Sequence, residues 1–378
     1  MILRIEKLQD ACNKILPAVD TQGIATSDIG KNLSDKLQLS AEGGYLTMSV
    51  TNGEYFAKVS IELDEHVCLL ATVRAELFLK LISQTTSESV ELLTDDNNLI
   101  VRGNGEYRIP LIFNDEDILE LSEIKINNVT NEFTIGSDIL NSIITFNSKS
   151  VAKEGTDSPQ KTMYYIDEMG CITYTSGACV NNFRLSSPVK MLLPAKLVKL
   201  FKLFKEGDVN FKIGYDNISN GIIQTKVAFC NDTVSITSII SCDDTLMNKV
   251  PASAIRGRST KVYPYSVTLN KNDVIQMINR LSIFAVSGNM MKPYGKFEFD
   301  KDFVTIYDWD MRNKEVIYYD DGELDIAQSV KLSLDLAQFK TTVESCTEQN
   351  ITLDFGDHEA VVVTRGSIKN IIPEVELR

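Results

Sequence analysis

The segment Ala195–Lys205 carries the densest candidate chemistry in the chain, because Lys196, Lys199, Lys202 and Lys205 interleave there with Leu197, Leu200, Phe201 and Phe204. The apolar residues follow i, i+3, i+4, i+7, the spacing of a helix with one buried stripe. At about 100° per residue, Lys199 and Lys202 fall on the opposite face, flanked by Lys196 and Lys205. A strip of ammonium groups can contact phosphates without reading base sequence. The same strip also suits a solvated face with cations near a helix C-terminus. Other segments with helical spacing offer Lys7 and Lys14, Arg74 and Lys80, Arg280, and Lys340.

Nucleophilic and metal chemistry find little support. The two histidines, His66 and His358, stand far apart, and His358 in Phe355-Gly356-Asp357-His358-Glu359 reads as a hairpin tip. A Ser-His-Asp or Cys-His arrangement needs a histidine oriented by a partner, and neither histidine sits in such a motif. HExxH, GxSxG, GxGxxG and GxxxxGK followed by Ser or Thr are absent from the sequence. If the chain takes part in an ATP-driven process, another protein hydrolyses the ATP. Asp308-Trp309-Asp310 and Asp320-Asp321-Gly322-Glu323 bring carboxylates close enough for Mg²⁺, Ca²⁺ or a hydrolase. They lie beside the alternating runs Phe303–Tyr307 and Glu315–Tyr319, so hairpin turns are the better reading. The seven cysteines, at 12, 68, 171, 179, 230, 242 and 346, are odd in number, scattered and free of CxxC. They read as reduced core or strand thiols. The expectation is a non-catalytic protein with no metal and no cofactor.

The totals set further bounds. The 378 residues are 43% hydrophobic and 24% charged, enough for two to four domains. No apolar run approaches the roughly 18 residues of a membrane span. Met1-Ile2-Leu3-Arg4-Ile5-Glu6 lacks the regions of a signal peptide, so a cytoplasmic location is expected. The formal charge of −14 opposes a general affinity for nucleic acid, an objection that any DNA role must answer.

The elements that must position these residues repeat. Leu3-Arg4-Ile5 precedes Leu8, Ala11 and Ile15; Phe133-Thr134-Ile135 precedes Ile139, Leu140, Ile143 and Ile144; Val267-Thr268-Leu269 precedes Val274, Ile275 and Ile278. Each time a two-residue alternation gives way to a 3.6-residue period, so a strand feeds an amphipathic helix. A second repeat lies inside the first. Helical runs at Val73–Leu81, Pro194–Phe204 and Leu334–Val343 precede strands at Ser89–Leu92, Val209–Ile213 and Ile351–Phe355. Turns follow at Asp95–Asn98, Asp216-Asn217 and Gly356-Asp357. Six half-domain units result, an α+β pattern of three similar domains, each with two helices against antiparallel sheets. The expected domains are 1–125, 126–256 and 257–378. Asn114–Asn128 and Pro251–Pro264 are expected to be solvated connectors between them.

With Tyr164-Tyr165-Ile166, Thr175-Ser176-Gly177, Leu193-Pro194-Ala195-Lys196 and the ending Ile371-Ile372-Pro373-Glu374-Val375-Glu376-Leu377-Arg378, the whole chain resembles the bacterial-type DNA polymerase sliding clamp, the DNA polymerase III beta subunit. The resemblance implies three clamp-type domains forming half of a closed ring, a head-to-tail homodimer with helices inside and sheets outside. Such a ring is a processivity factor without catalysis. It holds duplex DNA topologically and without sequence preference, and it tethers the replicative polymerase. The charge objection is then met, because a few inward lysines suffice.

By position the resemblance places Tyr107 and Ile109 of one subunit against Ile283 and Phe284 of the next. It also implies a pocket for short linear motifs of the polymerase and of an ATP-dependent clamp loader. Ile166, Thr175, Gly177 and Val180 would line that pocket from the second domain. Gln338, Ala360, Ile371, Ile372, Pro373 and Val375 would line it from the third. The sequence departs from the family where Ala178-Cys179 replace a customary His-Arg pair, in Asp243–Pro251, and in Val286–Tyr294 with Met290, Met291 and Pro293. Such drift suits a divergent bacterial or phage member. The competing reading is a non-enzymatic β-rich structural or adaptor protein, such as a phage particle component.

Overall fold

The computed structural model describes residues 1–19, 33–153, 158–218, 222–285 and 294–375. The divergent stretch 286–293 and the terminal 376–378 lie outside the described residues. The helices are α1 (Ile5–Ile15), α2 (Ala75–Gln84), α3 (Ser137–Ser142), α4 (Ala195–Lys199), α5 (Asp244–Met247), α6 (Ala252–Thr260), α7 (Lys271–Ala285) and α8 (Leu336–Glu344).

The strands run β1 (Ile2–Arg4), β2 (Lys36–Glu42), β3 (Tyr45–Thr51), β4 (Tyr55–Glu62), β5 (Leu69–Arg74), β6 (Ser89–Thr94), β7 (Asn98–Arg102), β8 (Glu106–Pro110), β9 (Phe113–Asn114), β10 (Asp117–Ile118) and β11 (Val129–Gly136). They continue as β12 (Met163–Asp167), β13 (Gly170–Tyr174), β14 (Cys179–Asn182), β15 (Met191–Pro194), β16 (Asp208–Ile218), β17 (Ile222–Cys230) and β18 (Val234–Ile240). The last are β19 (Tyr265–Asn270), β20 (Tyr294–Phe299), β21 (Phe303–Tyr307), β22 (Lys314–Tyr318), β23 (Val330–Asp335), β24 (Asn350–Phe355), β25 (Val361–Arg365) and β26 (Ile368–Ile372).

The chain divides into two compact units, residues 1–141 with 196–241 and residues 142–195 with 242–378. The first holds an eight-stranded antiparallel sheet, β11-β16-β17-β18-β4-β3-β2-β5, and a four-stranded one, β1-β6-β7-β8. The second holds β15-β12-β13-β14-β26-β25-β24-β19 and β22-β21-β20-β23.

One four-strand run underlies all of this. Three runs start on a strand that enters the first helix of a repeat: β1-β6-β7-β8, β11-β16-β17-β18 and β19-β24-β25-β26. Three start on a strand that enters the second: β5-β2-β3-β4, β15-β12-β13-β14 and β23-β20-β21-β22. Each eight-stranded sheet is one run of each kind joined edge to edge, β18 to β4 (Ile236 opposite Ala57) and β14 to β26 (Cys179 opposite Ile371). The units therefore do not end at the expected boundaries near 125 and 256, because strand pairing crosses both.

Leu8, Ile15, Phe78 and Ile82 fill the first unit's core under α1 and α2. Phe297, Phe299, Phe339 and Phe355 centre a core in the second. Both connectors are mostly exposed, as expected, and each is anchored at a few points. After the short β9–β10 hairpin, the Leu121 amide donates to Gln38 Oε1 at 2.6 Å, Glu123 pairs with Lys58 at 2.6 Å, and Lys226 donates to the Lys125 carbonyl at 2.9 Å. The first connector thus crosses from β2 to β17, over the joint of β4 with β18. Gly214 permits the crossing, since a Cβ there would lie 2.4 Å from the Asn128 carbonyl oxygen. The second connector forms α6, which packs on β14 and β26. Asp216-Asn217, expected as a turn, is strand, paired with Gln224 and Ile223. The Asp320–Glu323 stretch is not a hairpin tip either: Asp321 bridges to Thr268 of β19.

Candidate nucleic-acid and partner interfaces

The lysine segment is shorter as an α-helix than its periodicity suggests. One α-turn, Ala195–Lys199, tightens into a 3₁₀ turn, Leu200–Leu203, and Phe204 and Lys205 follow in extended chain. Val198 and Leu203 are buried along with the expected Leu197, Leu200, Phe201 and Phe204. The apolar surface is therefore broader than one stripe, and the tighter turn brings Leu203 inward. Lys199, Lys202 and Lys205 are exposed as expected, and Lys196 is half-buried.

Of the ten cations singled out in the sequence Lys7 is exposed, and the other nine fall into distinct classes. Lys14 and Lys205 share one carboxylate, Asp10, at 2.7 and 3.1 Å. Lys80 pairs with Glu76 at 2.6 Å and Lys340 with Glu344 at 3.5 Å. Arg280 grips Glu315 through both Nε, at 2.7 Å, and a terminal nitrogen. Among the described residues Arg74, Lys199 and Lys202 have no such partner, and Lys196 has contacts of its own. Three of the pairs, Lys14 with Asp10, Lys80 with Glu76 and Lys340 with Glu344, are one helical turn apart in sequence, whereas those of Lys205 and Arg280 join distant segments. Arg280 and Lys340 belong to the second unit and the other seven to the first.

The second unit places two of the expected pocket residues, Ala360 and Ile371, in a cluster on one side of its eight-stranded sheet. Tyr165, Ile172, Tyr174, Leu192, Ala360, Val362 and Ile371 form a cluster there, closed by Met247, Val250 and Ile255 from α5, α6 and the turn between them. Met163, Cys179, Cys242 and Tyr263 form its partly open rim. Gly177 lies against Gln338, 3.1 Å from its Cγ if a Cβ is added, so those two expected residues do meet. Thr175 organises the β13–β14 turn by accepting from the amides of Gly177 and Ala178. Pro373 and Val375 follow β26 to β23, where the Val375 amide donates to the Ser333 carbonyl at 2.8 Å.

Ile166, Val180 and Ile372 lie on the other face of the sheet. Each is one residue away from a cluster member, and successive strand residues face opposite sides. Ile166 pairs with Cys171 and Met191, Val180 with Thr173, and Ile372 enters the core centred on Phe355. All three are buried on the far side of the sheet from Tyr165, Cys179 and Ile371.

The sequence reading also missed a polar frame beneath the cluster. Arg256 of α6 pairs with Asp167 at the end of β12 and lies over the Tyr165 ring, 5.8 Å from its centroid. The Tyr165 hydroxyl donates to Asp167 at 3.1 Å. Asn181 donates to Ser259 at 2.9 Å, which fixes α6 to β14. No signal in the sequence joins these residues, which come from segments about ninety positions apart. Burial pushes the Cys179 thiol up to about 12, against a weaker opposing pull from Arg258. The Cys179 side chain is therefore uncharged where the resemblance leads one to expect a guanidinium.

Of the run ends that join in the eight-stranded sheets, two counterparts, β8 and β22, stay unjoined within their units. On β8, at the end of the first unit's four-stranded sheet, Tyr107 is 44% exposed. Ile109, two residues on and on the same face, is only 5% exposed, so its side chain belongs to its own core and not to a surface. On β22, at the edge of the second unit's four-stranded sheet, Val316 and Tyr318 are exposed. The last turn of α7 presents Ile283, 70% exposed, and Phe284, 50% exposed. The Arg280–Glu315 pair holds α7 to β22, so these apolar side chains sit beside that edge on the sheet's helix side. His358 stands at the β24–β25 tip with φ +53° and is largely exposed, as a turn residue. Among the described residues no group of His, Cys, Asp and Glu is arranged to hold a metal ion.

No family model matches the sequence, and no curated protein does. Solved structures are similar along its whole length. DNA polymerase III subunit beta from Borrelia burgdorferi, in complex with a natural product, has a TM-score of 0.77 at 12% identity, covering 100% of this chain and 99% of that one. The DNA polymerase sliding clamp from Pseudomonas aeruginosa gives 0.76 at 12% over the same shares. The clamp from Bacillus subtilis gives 0.74 at 16%, again over 100% and 99%. At such low identity the likeness concerns backbone architecture, and in architecture the chain has the sliding-clamp fold.

Proposed function

We propose that the chain is a DNA sliding clamp: a non-catalytic homodimeric ring that encircles duplex DNA and tethers a replicative polymerase. The observation that carries this reading is the pair of unmatched edges. Six four-strand runs supply three joining edges of each kind, β8, β18 and β26 on one side and β4, β14 and β22 on the other. Two joints form within the chain, and β8 and β22 are left over. They complete the pattern only if β8 of one copy pairs with β22 of another. That contact is heterologous, and such contacts build rings when their rotation closes.

Side-chain chemistry agrees with the joint. Tyr107 shares the face of the buried Ile109, the helix side of β8, and would meet Ile283 and Phe284 beside β22. On this reading the division at 1–125, 126–256 and 257–378 is the repeat itself, and the compact units are pairs of half-domains joined across it. The helices would face the DNA, with Lys199, Lys202 and Arg74 as the ready phosphate contacts and the paired cations in reserve. Encirclement replaces tight binding, which suits a chain of net charge −14. Short motifs of the polymerase and of an ATP-dependent loader would seat their apolar side chains on the cluster around Tyr165, Tyr174 and Ile371. The location is then the cytoplasm, at the replisome.

Light scattering on the purified chain tests the reading. The expected mass is twice the 42.2 kDa of one copy. A monomer at micromolar concentration, or an open-ended array as a structural protein would form, contradicts it.

A further inference from the structure

We propose that Asp10 tunes the grip on DNA by holding Lys14 and Lys205 in intramolecular ion pairs, so that two cations of the helix face are withheld from phosphate. The proposal rests on the clamp reading. Asp10 lies on α1, and its carboxylate meets Lys14 one turn on at 2.7 Å and Lys205, from the end of the lysine segment, at 3.1 Å. The three side chains are partly exposed, so a phosphate can reach either lysine only in competition with that carboxylate. The hydrogen bond from Lys14, with a smaller one from Lys205, outweighs the effect of burial and holds the Asp10 carboxyl below its ordinary range. The competitor is therefore ionised throughout the neutral range. Lys199 and Lys202, on the same segment as Lys205, have no such competitor among the described residues. The face thus carries an engaged set and a withheld set of lysines, and Asp10 divides them.

Counterion release gives the consequence. Each additional phosphate neutralised steepens the dependence of log affinity on log salt by about 0.9. Replacing Asp10 by the isosteric asparagine frees two lysines. The slope should steepen by up to about 1.8, and the gain in affinity should shrink by about tenfold over a fourfold rise in salt. Glu6 supplies the control, an exposed carboxylate on the same helix with no ion pair among the described residues.

The experiment measures binding of the full-length chain to a short linear duplex by fluorescence anisotropy across a salt series. Asp10→Asn should tighten binding at low salt and steepen the slope, Glu6→Gln should leave the slope near wild type, and adding Lys14→Gln with Lys205→Gln to Asp10→Asn should cancel the gain. If Asp10→Asn matches wild type, or if Glu6→Gln has the same effect, the proposal is overturned. Lys199→Glu with Lys202→Glu separates the two levels. Loss of binding there, with Asp10→Asn silent, removes the role of Asp10 and leaves the clamp reading intact. Unchanged binding in both removes the DNA face itself.

Discussion

Arg256 and Asp167 show what single residues do in this fold. Both are largely buried, and each is the other's counter-charge beneath the apolar cluster. Removing one partner of such a pair leaves an uncompensated buried charge and typically costs about 3–5 kcal/mol. Arg256→Met and Asp167→Ala should each lower the melting temperature strongly, and the double variant should lose much less than their sum. Additive losses would show that the pair is not coupled. Asp308 gives a second case, with a pH sign. Burial opposes its ionisation, but the hydrogen bonds from Asn313 and Arg312 outweigh it and hold the carboxyl below the usual carboxylate range. A depressed folded-state value means that the stabilisation is present above the unfolded value near 3.9 and is lost as pH falls through the folded value. Asp308→Ala should therefore cost about 1–3 kcal/mol at neutral pH by leaving the hairpin amides unpaired, and the gap to wild type should close in acid. A gap independent of pH would mean that the ionised carboxylate is not what holds the turn. At this scale the sequence was only partly legible. Gly177 meets Gln338, and Ile371 lies on the opposite sheet face from Ile166, Val180 and Ile372, a division that the motifs do not show. Strands β12 and β13 are buried on both faces, so no alternation of apolar and polar residues tells one face from the other.

Elements were easier to read than their ends. The strand-to-helix repeats at Leu3–Ile15, Phe133–Ile144 and Val267–Ile278 all correspond to a strand feeding a helix, although the second passes into a π-turn, Ile143–Asn147. The connectors are largely solvated, as their composition implies, but a few of their residues, such as Ser259 and Arg256, turn inward where the fold supplies partners in Asn181 and Asp167. Edge strands make the most exacting prediction. β8 and β22 carry exposed apolar side chains, which edge strands normally avoid unless something covers them. Tyr107→Glu and Ile283→Asp alter surface positions and should leave the fold and the melting temperature nearly unchanged. Each should shift the mass measured by light scattering toward that of a single copy. Retention of the dimer in both would move the interface elsewhere.

For the whole molecule, the repeats of the sequence and the compact units of the fold divide the chain differently. The compact units straddle the middle third because the joints β18 with β4 and β14 with β26 pair across the boundaries between repeats. Both joints are crossed by a connector within the chain. The proposed joint between copies has no covalent connector, so strand pairing and the apolar contact of Tyr107 with Ile283 and Phe284 must hold it alone. On the proposed reading the net charge of −14 and the few lysines without a carboxylate partner belong together, since a closed ring needs little attraction to stay on its track. Electron microscopy of the isolated protein tests that closure directly. Class averages should show a ring of two copies around an open centre wide enough for a double helix. A solid particle, or a curved chain with free ends, would contradict it.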